Sequence, residues 1–337
     1  MSCSLKDIAE DLKLSKTTVS WVLSGNGNRR NISIETQELV KKRAREMNYE
    51  PNLLAKSLSK GITHTLGLII PSISDLFYAQ IAKAIELEAW KNNFSVIFCS
   101  SESDPQKEFD LIRMLKQKQV DGLIIAPTKK NDNQIKQLIV EKYPFVLFDR
   151  YYPNLNTNYV IINNEESAYN VVKRVIAEGR RKIAIITTNS YLLLMKMRYN
   201  GYKKALEEAG IKVDENLLIE VNVTDYENEL NKVLYELLSH YPDIDGFFFT
   251  THILAIETIK YLYKHFDNVT KRFGFACMHE EPLLHVLAPN LKIARMPVQE
   301  IGQMAASILI EEITMKQEGI IKESEKVGIV LKSTIIE

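Results

Sequence analysis

The spacing of apolar positions changes character along this chain. Leu5, Ile8, Ala9 and Leu12 follow the i, i+3, i+4, i+7 rhythm of a one-faced helix. Ser4 stands where such a helix needs a cap, and Asp7 three residues on gives a near capping box. Leu14 and Ser15 break the first helix. Ser15 is placed to cap a second, Lys16–Leu23, in which Val19, Val22 and Leu23 point inward. Ser33 then caps a third helix, Ile34 to about Met47, with Leu39, Val40 and Ala44 as its core stripe and Lys41, Lys42, Arg43 and Arg45 mainly outside. Two short helices joined by a tight turn are the unit that lays its second helix in the major groove of DNA.

Pro51 suits the first turn of a helix. The segment 52–60 has a short helical pattern, with Leu54, Ala55 and Leu58 on one side. It is too short to be a stable helix alone in water. After Gly61 apolar runs alternate with helical stretches. Strands are expected at Leu66–Ile70, Ser95–Cys99, Gly122–Ala126, Phe145–Phe148, Ile183–Thr187, Gly246–Phe249 and Phe273–Ala276. Amphipathic stretches lie at Phe77–Lys91, Lys107–Lys118, Ser167–Glu178, Tyr199–Ala209 and Ile253–Lys264. Such alternation predicts an α/β fold of parallel sheets covered on both faces. The strands are too many for one compact sheet, so two lobes are expected.

The 337 residues carry 43 Lys and Arg against 43 Asp and Glu, a formal charge of zero. The balance is uneven: residues 1–60 hold 11 basic and 7 acidic side chains, leaving 32 against 36 for the rest. The basic surplus sits where contact with phosphate is expected. No apolar run approaches the length of a bilayer span, and no secretory signal is visible, so a cytoplasmic location is expected. Cys3, Cys99 and Cys277 lack metal or redox spacing and read as reduced thiols. No cofactor and no metal site is expected.

Asp7-Ile8-Ala9, Ser15-Lys16-Thr17-Thr18-Val19-Ser20, Val22-Leu23-Ser24-Gly25, Asn48-Tyr49-Glu50-Pro51-Asn52 and Ala55-Lys56-Ser57-Leu58 resemble the N-terminal signature of the LacI/GalR family of transcriptional regulators. Leu66-Gly67-Leu68-Ile69-Ile70-Pro71, Asp75-Leu76-Phe77-Tyr78, Val120-Asp121-Gly122-Leu123-Ile124, Val146-Leu147-Phe148-Asp149-Arg150 and Arg198-Tyr199-Asn200-Gly201-Tyr202 resemble that family's effector-binding core. The resemblance covers essentially the whole chain. It implies an all-α helix-turn-helix domain (1–50), a hinge helix (51–61) and a type I periplasmic-binding-protein-like core (62–337) of two doubly wound lobes joined by three crossings. The first lobe is expected to hold about 62–161 and 292–322, the second about 162–291 and 323–337.

For the DNA side, helical geometry exposes Lys16, Thr17 and Ser20 on the second helix. The resemblance makes Lys16 and Thr17 readers of operator bases. Trp21 stands where the family usually has an arginine that reads a guanine. Indole has no bidentate donor pair, so it contacts a thymine methyl, covers phosphate or sugar, or packs on neighbouring loops. Arg29 and Arg30 lie in a loop rich in Gly and Asn; phosphate contact and plain solvation are about equally expected. In the family's hinge, here carrying Asn52 and Ala55, a leucine wedges into the minor groove. Leu58 matches it by its spacing from Pro51.

For the effector side, ligands of doubly wound sheets sit beyond the carboxyl ends of the strands. That selects Asp149 and Arg150 at the end of one strand and Asp75, Phe77 and Tyr78 after another. Arg198 matches the family arginine that holds the effector. Tyr226 offers an aromatic face, and a carboxylate with a guanidinium suits vicinal hydroxyls, while Arg also suits an acid group. The competing readings are an ion pair across the lobes for Asp149 and Arg198, and core or wall packing for Phe77, Tyr78 and Tyr226. The chain also departs from the family twice. Thr250-Thr251-His252 stands where many members have Ala-Asn-Asp, and Gly274-Phe275-Ala276-Cys277 where many have Gly-Phe-Asp-Asp. Thr251 and His252 therefore enter the site in place of an amide and a carboxylate. The expected effector shifts from a neutral sugar towards a sugar acid, a sugar phosphate or another ligand. His252 and His279-Glu280-Glu281 offer substitutes for the lost groups, although a lone His is more often a helix-start or surface residue.

The expected function is a homodimeric regulator, of repressor type, that binds operator double-stranded DNA under control of a small molecule. The resemblance places the dimer contacts on Phe77–Lys91 and Ile253–Lys264, with no coiled-coil tail. The alternatives are a sugar-binding protein without a regulatory role and a sugar-modifying enzyme. No nucleophile elbow, phosphate-binding Gly loop or metal motif supports the last.

Overall fold

The computed structural model describes residues 3–49, 61–128, 132–222, 226–319 and 326–337. The chain divides into two compact units, 1–63 and 64–337. The hinge segment, with Asn52, Ala55 and Leu58, lies outside the described residues.

In the first unit, α1 (Leu5–Asp11), α2 (Lys16–Leu23) and α3 (Ile34–Glu46) enclose a small core of Ile8, Ala9, Val19, Val22, Val40 and Ala44. Each helix has a hydroxyl cap: Ser4 accepts from the Asp7 amide, Ser15 from Thr18 and Ser33 from Thr36. Asp7 returns the bond to the Ser4 amide, closing the capping box. Arg43 forks onto both carboxylate oxygens of Asp11 at 2.7 Å, tying α3 to α1. One expectation fails here. Leu39 is half exposed, and the buried stripe of α3 is Gln37, Val40 and Ala44. A residue adjacent to Val40 is turned about 100° from it, which carries Leu39 off the core face.

In the second unit the described residues form two sheets of six strands. The first runs β11 (Gly328–Leu331), β5 (Asn158–Ile162), β4 (Phe145–Phe148), β3 (Gly122–Ile125), β1 (Thr65–Ile70) and β2 (Ser95–Ser100), all parallel. The second runs β12 (Thr334–Ile336), β10 (Lys292–Arg295), β9 (Gly274–Met278), β8 (Gly246–Phe249), β6 (Ile183–Thr187) and β7 (Leu218–Glu220). Only β12 is antiparallel to its neighbour. Strands β3, β4, β6, β8 and β9 are buried at every position, as in Phe247, Phe248 and Phe249, because helices cover both faces.

Two strands depart from the expected division. Lys292–Arg295, expected with the first lobe, extends the second sheet beside β9. Gly328–Leu331, expected with the second, pairs with β5 in the first. The helix between them, Val298–Gln317, packs on the first sheet's strands β3, β4 and β5 and on α4 (Leu76–Lys91). The chain therefore passes between the sheets after Ile162, after Arg295 and after Leu331. The first and last passages are stitched together: Asn163 donates its amide to the Leu331 carbonyl at 2.9 Å, and the hydroxyls of Ser333 and Ser167 are 2.7 Å apart.

Candidate functional site

On the first unit, Lys16 and Thr17 are exposed at the start of α2, and Ser20 and Trp21 are half-buried one turn on. The caps at Ser15 fix where the helix begins, and so which side chains project from its first turn. Trp21 takes the third of its expected options. Its ring lies under the Arg30 guanidinium, 4.6 Å from the ring centroid, a cation–π contact with the loop that follows. That loop is held from beneath. The Gln37 amide donates to the Asn28 side chain at 2.9 Å and to the Ile32 carbonyl at 2.8 Å. Gln37 also lies against Gly27, where an added Cβ would stand 2.4 Å from it. The loop thus carries a short 3-10 turn, Asn28–Arg30, with Arg29 and Arg30 outward. Sequence reasoning missed Gln37. A glutamine on the apolar stripe of α3 was its one signal.

On the second unit, the carboxyl ends of the two sheets face each other across polar side chains. From the first sheet, Asp75 caps α4, accepting the Phe77 amide at 2.9 Å. Tyr78 donates its hydroxyl to Asp149 at 2.7 Å, and Arg150 donates to the Tyr78 oxygen at 3.3 Å. Arg150 also lies 3.5 Å from the Asp149 carboxylate and donates to the Pro127 carbonyl at 3.3 Å. Asp149 has φ +61°, a left-handed backbone for a non-glycine residue, seen here at a strand end. The Pro127 loop is anchored by Glu108, which accepts from the Thr128 amide at 2.7 Å and from its hydroxyl at 3.2 Å. Burial pushes the Glu108 carboxyl up to about 7.

From the second sheet, Arg198 is buried on α8 (Leu193–Glu208). It donates to the Asn164 side chain at 2.8 Å, to the Thr250 carbonyl at 2.5 Å and to His279 Nε2 at 3.1 Å. Among the described residues no carboxylate lies within 4.0 Å of it. Burial pulls its guanidinium down to about 10, so it remains a cation at neutral pH. Its placement depends on Gly201 one turn later. A Cβ there would stand 2.2 Å from the Glu165 carbonyl oxygen of α7 (Asn164–Ala177), so the two helices meet at this glycine.

Contacts at His252 and His279 bridge the sheets. His252, the first residue of α10 (His252–His265), faces Asp75 with 3.6 Å between Nε2 and Oδ1. Phe77 stacks on His279 with ring centroids 4.4 Å apart. Burial lowers both histidines, His279 most strongly, and raises Asp75, so the charged forms of all three are disfavoured.

Of the residues selected from sequence, Asp75, Phe77, Tyr78, Asp149, Arg150, Arg198 and His252 are tied to one another or to this cluster. Thr251 caps α10 beside it. Tyr226, the first residue of α9 (Tyr226–His240), packs against the apolar core of the second sheet, the core-packing alternative. His279 is corrected from a surface residue to a buried one, because β9 runs two residues beyond its expected end and carries it to the strand terminus. Asn164 and Thr188 were also missed, and Thr250 was noted only as a departure from the family; Asn164 and the Thr250 carbonyl both serve Arg198, a distant partner. Larger hollows lie elsewhere, such as one of about 410 Å³ lined by Arg113, Lys116 and Gln137, but it is walled by two helices rather than by strand ends. Strand ends are where doubly wound folds bind ligands.

The comparisons with known proteins agree with this geometry. The family described as periplasmic binding proteins and sugar binding domain of LacI family matches residues 63–258. The description bacterial regulatory proteins, lacI family, matches residues 4–52. The ribose operon repressor of Halalkalibacterium halodurans is 29% identical over 313 residues, 93% of this chain and 91% of its own length. The HTH-type transcriptional regulator DegA of Bacillus subtilis is 30% identical over 305 residues, 90% of this chain and 89% of its own. The solved transcriptional regulator CelR–cellobiose complex superimposes with a TM-score of 0.72 at 23% identity, covering 99% of this chain and 98% of that one. An N-terminal helix-turn-helix followed by this two-sheet core, matched over nearly its full length, makes the chain a member of the LacI family of bacterial regulatory proteins.

Proposed function

We propose that this protein is an effector-controlled transcriptional repressor that works as a homodimer in the cytoplasm. Two copies of the first unit grip an operator with two-fold symmetry. Lys16, Thr17 and Ser20 read base edges in the major groove. Arg29 and Arg30 hold phosphates, and Trp21 keeps Arg30 on the loop. Leu58 wedges the minor groove, with Asn52 and Ala55 on the same hinge helix. A sugar or sugar derivative binds between the sheets against Asp75, Phe77, Tyr78, Asp149, Arg150, Arg198, Thr251 and His252. The relatives' names support this class, since they include a ribose operon repressor and a cellobiose complex. The dimer contact falls on α4, whose Leu87 and Trp90 are large, apolar and exposed.

One observation carries the reading. An exposed recognition-helix start on one unit accompanies a buried polar cluster between two strand-end faces on the other. Effector binding favours one arrangement of the lobes, and that arrangement sets the pairing of the hinge helices. The test is fluorescence anisotropy on promoter fragments near the protein's own locus, with and without metabolites. Sequence-specific binding that a metabolite shifts is expected; only salt-sensitive, sequence-blind binding overturns the reading. Leu58→Ala should weaken operator binding and leave ligand affinity unchanged. Conversion of any bound sugar to product would favour the enzyme alternative.

A further inference from the structure

Several buried side-chain polar atoms without a hydrogen-bond partner lie together at the facing strand ends of the second unit. Nine buried side-chain nitrogens and oxygens have no hydrogen-bond partner among the described residues. Four of the nine belong to residues just past the carboxyl ends of parallel strands: Arg150 Nε after β4, Thr188 Oγ1 after β6, His252 Nδ1 after β8 and His279 Nδ1 after β9. Buried polar atoms are ordinarily paired, so four orphans at facing strand ends mark a place built for a ligand. All four residues are more than nine-tenths buried except Arg150, which is nearly so.

The chemistry of the orphans is lopsided. Arginine only donates; Arg150 Nε makes no hydrogen bond among the described residues, but it faces the Asp149 carboxylate at 3.5 Å. Arg198 donates to His279 Nε2, which must therefore accept, and the ring proton of a neutral His279 sits on the orphaned Nδ1. Two of the four are obligate donors. Thr188 and His252 can serve either way. The charges are lopsided as well. Asp149 is taken by Tyr78 and Arg150, and Asp75 faces His252. Arg198 hydrogen-bonds three neutral acceptors, and the carboxylate whose charge favours it, Asp149, lies beyond 4.0 Å and is engaged by Tyr78 and Arg150, so this buried cation lacks a close partner of its own. A neutral hydroxyl supplies an acceptor but no charge.

We propose that the effector carries an anionic oxygen group, a carboxylate or a phosphate, and that Arg198 and the Nδ1–H of His279 are its anchor. This rests on the cleft being the effector site. Thr188 and His252 then meet hydroxyls on the remainder of the ligand, which points to a polyhydroxy acid or a phosphorylated sugar. Because Phe77 lies flat on the His279 ring, the ligand enters only when the two part.

The test is calorimetry and thermal shift on the full chain with matched probes: glucose and galactose as neutral parents, gluconate and galacturonate as carboxylates, glucose 6-phosphate as a phosphate. At least one acid should bind roughly tenfold or more tighter than its neutral parent, the scale of one charge-assisted hydrogen bond. Whether the carboxylates or the phosphate win separates the two sources of the group. In His279→Phe, which keeps the aromatic stack, the ratio of acid to parent affinity should collapse. Mere structural damage would lower both affinities together. Should that variant not fold, Arg198→Met reads the same ratio. A parent sugar that binds as tightly as its acid overturns the proposal and leaves the effector cleft standing. Failure of every acid to bind also overturns it, while the anisotropy assay scores operator binding separately.

Discussion

Phe77 and His279 lie face to face, their ring planes 10° from parallel, one at the start of α4 beside the first sheet and the other at the end of β9 in the second. Neither ring reaches the other through sequence neighbours. The contact exists only when the two strand-end faces approach, so it reports the closed arrangement directly.

Replacing Phe77 by leucine removes the stack but keeps most of the apolar bulk. The closed arrangement should lose about 0.5–1.5 kcal/mol, the usual increment of an aromatic pair. Effector association measured by stopped flow should then become faster, with a small drop in unfolding midpoint. Association at the wild-type rate would mean that the stack does not guard entry.

Gly201→Ala forces α8 away from the Glu165 carbonyl. Overpacking of this kind costs about 1–3 kcal/mol. Arg198 is one turn away on the same helix, so the effector response should weaken along with the unfolding midpoint. A variant with wild-type values for both would show that the helices have slack there.

Glu108 gives a pH signature whose sign is unusual for an acid. Its folded value of about 7 exceeds the ordinary 4.5 because burial disfavours the carboxylate. Between those values the native state keeps a proton that the unfolded chain has released. Stability is therefore lost as pH rises through the window, by a total on the order of 3 kcal/mol. The nearby Arg150 charge opposes the shift without cancelling it. Denaturant titrations of wild type and Glu108→Gln from pH 4.5 to 7 should converge at the acid end and diverge in favour of the variant at the neutral end. The buried histidines act in the opposite direction but in both proteins, so the difference isolates Glu108. Parallel curves would sink the assignment.

Gln37→Ala leaves the loop carrying Arg29 and Arg30 without its two amide bonds. The first unit should lose roughly 1–3 kcal/mol. Operator affinity should fall together with its salt dependence, because two phosphate contacts are loosened. By comparison, Lys16→Ala should relax base preference at one position with little change in salt slope beyond its own charge. An unaltered salt slope in Gln37→Ala would place Arg29 and Arg30 away from the phosphates.

The parts of the fold legible in the sequence were those whose signal is local. Caps at Ser4, Ser15 and Ser33 lie three residues from the amides they satisfy. Strands such as Phe145–Phe148 and Gly246–Phe249 are covered on both faces and read as unbroken apolar runs. The strands outside the expected set, Asn158–Ile162, Leu218–Glu220, Lys292–Arg295, Gly328–Leu331 and Thr334–Ile336, are three to five residues long, and three of them lie at sheet edges. The site divides the same way. Asp75, Asp149 and Arg150 follow apolar runs and were found by position. His279 was misjudged because its burial depends on Phe77, 202 positions away, and on Arg198. Gln37 escaped because its partners Asn28 and Ile32 belong to a loop without a repeating pattern.

The three passages of main chain between the sheets give the lobes the mechanics of a clasp. Sliding one sheet past the other would stretch three covalent links at once, whereas swinging them about those links strains none. Only Asn163 separates β5 from α7, and only Lys332 and Ser333 separate β11 from β12, so these two short links, stitched to each other, set the axle. The work done by a molecule wedged at the far rim is thereby converted into a single turning motion, with leverage that grows with distance from that axle.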